Sequence, residues 1–328
     1  MKNITIFVIT FGLLCTFVCA AQTVNTRISK TFFDGNTSII DIRKILSPVL
    51  FAGDAHTAYR DPAVLFHEGV FYLFFSFIEI EPDGYIYSYV AYSKSRDLIH
   101  WTSVKKITQK DQSLNYSSPG NIIRYGKEWL ICFQTYPRPR YHTSEQKIRY
   151  GDQTARIFLM RSHDLENWSN PELLKVKGDS IAVEDMGRMI DPYLIRDKDD
   201  PDKYWCFYKQ NGVSLSYTCN FSSWNYFGHT EAGENACVLV RDNEYVLVHS
   251  PANGIGIKKS ADLKNWQDWG KLITLGQEQW EWAKGRITAG FVLDLKDTAG
   301  IEKYLMFYHG QVHKHFRQLQ YVQNNSMN

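Results

Sequence analysis

Cysteine is scarce in this chain and poorly placed for cross-linking. Only 6 occur in 328 residues. Cys15 and Cys19 fall in the apolar N-terminal stretch, which leaves Cys132, Cys206, Cys219 and Cys237, too few for a disulfide-built fold. The segment "YWCFYKQNGVSLSYTCN" reads as a hairpin turning at Asn211-Gly212. That register sets Cys206 opposite Tyr217 and Cys219 opposite Tyr204, so no bridge is expected between them. No Cys–His group has zinc spacing. Charge of one sign is lacking too: the net charge is +2 and there is no basic run. Nucleic acid, which needs a concentrated cationic face, is thereby excluded as a partner. Long amphipathic helical periods are absent, which argues against α/β barrels. The one long apolar run, from Ile4 to Ala21 behind Lys2, ends in small residues. It reads as an export signal over residues 1–21, cut near Ala20 or Ala21, with residues 22–328 as a single domain. An uncleaved anchor or a lipid on Cys19 are the alternatives, and periplasmic or extracellular location is the expectation.

What the chain does have is aromatic side chains, 15% of the total, with 9 Trp and 20 Tyr. That content suits a β-rich fold and also a sugar-binding surface. A short element recurs: "SKSRDLIHW" ends at Trp101, "SHDLENW" at Trp168 and "SADLKNW" at Trp266, with a degenerate "NFSSW" ending at Trp224. Each reads as a strand end, a turn begun by Asp, and a Trp entering the next strand. Interleaved with it are five β-rich runs, "FYLFFSF", "EWLICFQTY", "KYWCFYKQ", "EYVLVHSP" and "KYLMFYHG", each preceded by a turn and another short strand. Five strand–turn–strand units in one chain predict an all-β, five-bladed β-propeller, with a β-sandwich as the structural alternative.

In a propeller the first strand of every blade lines the central channel. The five starts are "YRDPAVLF", "SSPGNIIR", "RMIDPYLIRD", "GENACVLVRD" and "RITAGFVLD". Three carry an acid that reads as in register: Asp61, Asp191 and Glu234. Each Asp-Pro alone is an ordinary turn pair. Three carboxyls around one pore raise one another's pKa, an arrangement suited to acid–base work such as glycoside cleavage.

At this point the chain resembles glycoside hydrolase family 43 and its five-bladed relatives, from about residue 45 to residue 315. "RDPAVLFHEGVFYLFFS" is similar to the first-blade motif of that family, which implies a general base at Asp61. "MIDPYLIRDKDDPDKYW" resembles the third-blade strand, which implies that Asp191 tunes and orients the acid. "ENACVLVRDNEYVLVHS" has the layout of the fourth segment, which implies a general acid at Glu234. "YLMFYHG" is similar to the closing segment, whose His, here His309, lies near the pore and often beside a metal ion. Asn235-Ala236 stand where the family commonly has Gly-Pro or Ala-Pro, and "SSPGNII" replaces its second-blade motif.

Residues flanking the channel strands add candidates for substrate binding: His56, Arg60, Arg188, Trp282, Arg286 and His309. Arginine can fork onto hydroxyls or a carboxylate, and Trp offers a face to a sugar ring; the alternative is that they brace blade against blade. Three arginines near one site would suit a substrate with an acidic or sulfated neighbour. No cofactor and no catalytic metal are expected. A Ca²⁺ or Na⁺ ion near His309 would be structural and held by oxygen or water. The resemblance implies an exported, exo-acting, inverting hydrolase, acting as a monomer on arabinofuranose, xylose or galactose units of a polysaccharide or oligosaccharide. A retaining invertase-like enzyme, a phosphorolytic relative and a non-catalytic glycan-binding propeller are the other readings.

Overall fold

The computed structural model of the protein describes residues 7–13, 49–145 and 149–312. The expected cleavage point near Ala20 and the two N-terminal cysteines lie outside them. Among the described residues the helical pieces are single 3₁₀ turns, Glu184–Met186 and Gln277–Gln279; the rest of the regular structure is strand.

The strands form five sheets arranged as propeller blades. Blade 1 is Thr57–His67, Val70–Ile80, Ile86–Ser95 and Lys105–Lys106, an antiparallel meander. In blade 2 the innermost strand is broken into Tyr116–Ser117 and Ile122–Tyr125, followed by Glu128–Thr135, Ile157–Ser162 and Glu172–Leu173. Blade 3 comprises Ile190–Arg196, Tyr204–Lys209, Val213–Thr218 and Asn225–Thr230. Blade 4 comprises Glu234–Arg241, Glu244–Ser250, Gly256–Ser260 and Gln267–Asp268. The fifth sheet joins the hairpin of Arg286–Leu295 and Lys303–Gln311 to Val49–Gly53. Phe7–Leu13, inside the stretch read as an export signal, pairs in parallel with both neighbours there. Blade 1 packs its innermost strand on the fifth sheet, which closes the ring.

Second strands are sandwiched between neighbouring blades, so they read as continuous apolar runs: Phe71, Leu73, Phe74 and Phe75 are all fully buried. The repeated corner supplies the wedge between blades. Ser95, Ser162 and Ser260 accept the backbone N–H of Leu98, Leu165 and Leu263, and Asp97, Asp164 and Asp262 each accept two further amides. These bonds hold the three leucines at φ 63°, a left-handed turn. The degenerate copy has the same geometry, with Thr218 in the Ser position, Asn220 in the Asp position and Phe221 at φ 58°. Each turn delivers its Trp to the preceding blade. Trp168 meets Phe74 edge-on at 5.9 Å, and Trp266 meets Phe207 at 6.3 Å.

One hairpin departs from the expected register. Lys209 pairs with Val213, so the loop has three residues, Gln210 to Gly212, rather than two. Cys206 therefore faces Ser216, and Tyr217 faces Trp205. The four cysteines of the domain are free.

Candidate active site

The innermost strands do not run straight into the channel. In blades 1, 3, 4 and 5 the ladder slips between Arg60 and Ala63, Ile190 and Tyr193, Glu234 and Cys237, and Thr288 and Phe291. In blade 2 the strand breaks at the same place. Each slip is a bulge whose key residue has positive φ: Asp61 51°, Ser118 44°, Asp191 51°, Asn235 54° and Ala289 55°. A non-Gly residue there costs roughly 1–3 kcal/mol, and the bulge re-aims its side chain toward the axis. The Asp-Pro corners are two of these five bulges. In blade 4 the bulge residue is Asn235, so the in-register reading of Glu234 is off by one: Glu234 corresponds to Arg60, Ile190 and Thr288.

Five bonds hold these strained amides, one across each blade junction. The Asp61 N–H donates to His309 Nδ1 at 3.1 Å, and the Ser118 N–H to Ser76 Oγ at 2.6 Å. The Asp191 N–H donates to Gln134 Oε1 at 2.6 Å, and the Ala289 N–H to Ser250 Oγ at 2.8 Å. Ser76, Gln134, Ser250 and His309 occupy one equivalent position on successive second strands. In blade 3 that position is Lys209, which has no acceptor to offer. The Asn235 N–H donates instead to the Asp191 carboxylate at 3.2 Å. The break in the ring thus ties Asp191 to the backbone beside Glu234.

Asp61, Asp191 and Glu234 line one cavity of about 710 Å³. It narrows onto the five bulges, where a recess of about 20 Å³ has room for a single water. Two residues beyond their bulges Tyr193 and Phe291 are buried against each other, with ring centroids 6.1 Å apart. The three acids sit in different environments. Asp61 is buried, and its Oδ2 accepts from Ser76 Oγ at 2.8 Å and Ser118 Oγ at 3.1 Å. Burial alone would raise its pKa, but Arg60, His309 and the two hydroxyls outweigh it and hold the carboxyl below its usual value. Asp191 is equally buried. Burial first, then the charges of Glu234 and Asp61, push it up to about 7. Glu234 stands at the mouth with 43% of its side chain exposed, 3.9 Å from the Arg286 guanidinium.

His309 is fully buried. Burial, with Arg60 and Arg286 nearby, lowers its pKa to about 3 against the opposing pull of Asp61, so its 3.6 Å approach to the Asp61 carboxylate is not an ion pair at neutral pH. Its Nδ1 is occupied by the Asp61 N–H, and Nε2 faces the Gln311 amide at 3.3 Å. Nδ1 spends its lone pair on that N–H and Nε2 of the neutral ring carries the proton, so the ring does not fit as a direct ligand for the ion suggested by resemblance. Among the described residues no three His, Cys, Asp or Glu side chains come together as a metal cluster.

Arg60, Arg188, Arg286 and His309 all line the cavity; His56 and Trp282 do not. His56 is exposed in a turn capped by Asp54. Trp282 stacks on Trp280 at 4.8 Å and lies so close over Gly310 that a Cβ there would meet its ring at 2.7 Å. Both precede channel strands in sequence, but the chain turns them aside. Ser76, Ser118, Gln134, Lys209 and Asn235 complete the site unforeseen, as does a wall from the long connection inside blade 2 with Tyr136, Arg138, Tyr141 and Arg149.

The fold is shared with solved glycosidases. It overlaps an exo-1,5-α-L-arabinanase from a bovine ruminal metagenomic library with a TM-score of 0.52 at 14% identity, over 78% of this chain and 89% of that one. A glycosyl hydrolase from Bacteroides ovatus gives a TM-score of 0.57 at 11% identity, over 78% and 81%. A family 117 glycoside hydrolase from the marine bacterium Zobellia galactanivorans gives 0.53 at 12%, over 77% and 84%. This is their propeller. No family profile matches the sequence, and no curated protein matches it by sequence.

The raised Asp191 has a consequence for stability. Its ordinary pKa is 3.8 and its folded value is about 7, so the stability it contributes is complete below pH 4 and is lost as pH rises through 7. Asp191→Asn keeps an acceptor for the Asn235 N–H and carries no charge. Denaturant unfolding should find it as stable as the parent at pH 4 and more stable at pH 8.5, by on the order of a few kcal/mol at most. Equal stabilities at pH 8.5 would mean that the buried carboxyl is not strained.

Proposed function

We propose that the protein is an exported, exo-acting glycoside hydrolase that inverts the anomeric centre as it removes a terminal arabinofuranose, xylose or galactose-type sugar. One observation carries this reading: three carboxyls from three blades face a single cavity, and their surroundings push two of them in opposite directions. Asp61, held ionised, is suited to take a proton from water. Glu234, half exposed at the mouth, is placed to protonate the leaving oxygen. Asp191 titrates near neutrality, so it can hold a proton beside Glu234, and its bond to the Asn235 amide fixes the strand that carries the acid. The scheme needs only these side chains. A cavity that ends on the bulges accepts a chain end rather than the middle of a polymer, which supports exo action, and the arabinanase among the structural neighbours is exo-acting. Export is supported by the basic-then-apolar leader.

The test is proton NMR of the product anomer during the first minutes of hydrolysis, after a screen of aryl glycosides and oligosaccharides. Inverted product is expected. Retained configuration would make Asp61 a nucleophile, and binding of sugars without any turnover would make the propeller a lectin.

A further inference from the structure

The wall contributed by blade 2 is basic in a way that acid–base cleavage of a neutral sugar does not require. It belongs to the connection between Glu128–Thr135 and Ile157–Ser162, which folds over blade 1. Tyr141 accepts the Ile86 N–H through its carbonyl, the Thr143 N–H donates to Gly84, and His142 Nε2 meets the Asp83 carbonyl at 2.8 Å. On this anchored wall guanidinium and phenol groups alternate. Arg149 lies 5.5 Å from the Tyr141 ring centre and Arg138 lies 4.7 Å from it; Arg138 is 5.3 Å and Arg188 5.9 Å from the Tyr136 ring.

The arginines differ in what neutralises them. Arg149 is paired with Glu145, and Arg286 has Glu234 at 3.9 Å. Arg188 Nε donates to the Gly151 carbonyl at 3.1 Å but has no carboxylate among the described residues. Arg138, in the middle of the ladder, has neither. Among the described residues its side chain makes no ion pair and no hydrogen bond, and its Nε is buried without a partner. Arg60 and Arg149 are close enough to repel it, which adds to the cost of burying the charge. A half-buried guanidinium with an unpartnered Nε among like charges is unfavourable until an anion reaches it, and Arg presents a fork that fits a carboxylate or sulfate. All five residues of the ladder line the same cavity as the three acids.

We propose that Arg138, flanked by Arg188 and Arg149, forms an oxyanion subsite, so that the carbohydrate taken by this cavity carries a carboxylate or a sulfate ester. The assignment rests on the cavity being the sugar site of the proposed glycosidase. Tyr136 and Tyr141, whose ring centres lie 5.3 and 4.7 Å from the guanidinium, brace it by cation–π attraction without using its N–H groups. Neutral sugars leave the Arg138 charge uncompensated and bind less well.

Calorimetric titration of the full chain with matched pairs of sugars tests this: galactose with galacturonate, glucose with glucuronate, and galactose with galactose 6-sulfate. At least one acidic member should bind at least tenfold more tightly than its neutral partner, and whether the uronates or the sulfate ester wins identifies the group. Arg138→Gln should erase that preference, with Arg138→Lys intermediate because it keeps charge but not the fork. If Arg138→Gln fails to fold, Arg188→Gln should still weaken the preference, and raising NaCl from about 50 to 500 mM should shrink it in the parent. No preference in any pair, or a preference that survives Arg138→Gln, overturns the subsite. So does inorganic phosphate that binds as tightly as the acidic sugars and is required for turnover, because the ladder would then serve a co-substrate. A preference for acids without hydrolysis of any glycoside would instead leave the subsite standing and remove the glycosidase reading.

Discussion

Asp61→Asn should reduce kcat by about 10³-fold with little change in KM and only a small change in thermal stability. General-base catalysis is worth roughly 10²–10⁴-fold, and the proposed base is a carboxyl whose surroundings favour its charged form. Its carboxylate accepts from Ser76 and Ser118 while Arg60 stands beside it. Asn keeps the shape and one acceptor for those hydroxyls, and the strained backbone tolerates it, since Asn is among the residues that adopt positive φ most readily. The lost element is the charge that takes the proton from water. Steady-state kinetics on the best substrate, with a thermal melt as control, decides the matter. Residual turnover above a tenth of the parent would move the base elsewhere.

The second large effect depends on the substrate. Glu234→Gln should lower kcat on an unactivated oligosaccharide by about 10²–10⁴-fold. The same enzyme should lose less than about tenfold on a glycosyl fluoride or a dinitrophenyl glycoside, whose leaving groups depart without a proton. Equal losses on both substrate types would mean that Glu234 does not protonate the leaving group. Its exposure makes misfolding a poor alternative explanation, since 43% of the side chain is in solvent.

Much of the fold is legible because its signals are local. The Ser-Asp-Leu-Trp corner is turn chemistry confined to a few residues, so even the copy with Thr218, Asn220 and Phe221 keeps its geometry. The strand–turn–strand units follow from apolar runs bounded by turn residues. The site is legible where a bulge is marked by Asp-Pro, at Asp61 and Asp191. It becomes illegible in blade 4, where no proline marks the slip and Glu234 falls one residue short of the bulge. The polar residue near the end of each second strand, Ser76, Gln134, Lys209, Ser250 and His309, was visible in every apolar run, but its partner lies on the next blade and no local rule points to it. The Arg138 wall is hidden for a related reason: a long connection carries no periodicity to say where it lands. His56 and Trp282 show the converse, since nearness in sequence to a channel strand does not aim a side chain into the channel.

Asp61 sits near the beginning of the domain, and the nitrogen that receives its backbone proton belongs to His309, near the end. The strained Asp61 amide therefore cannot find its acceptor until the last hairpin has docked onto the first. A chain emerging from the ribosome carries all three acids well before it can use any of them, and a product truncated before residue 303 would keep four blades while its first aspartate stood unanchored. The geometry around Asp61 in this molecule is a report that the circle has shut.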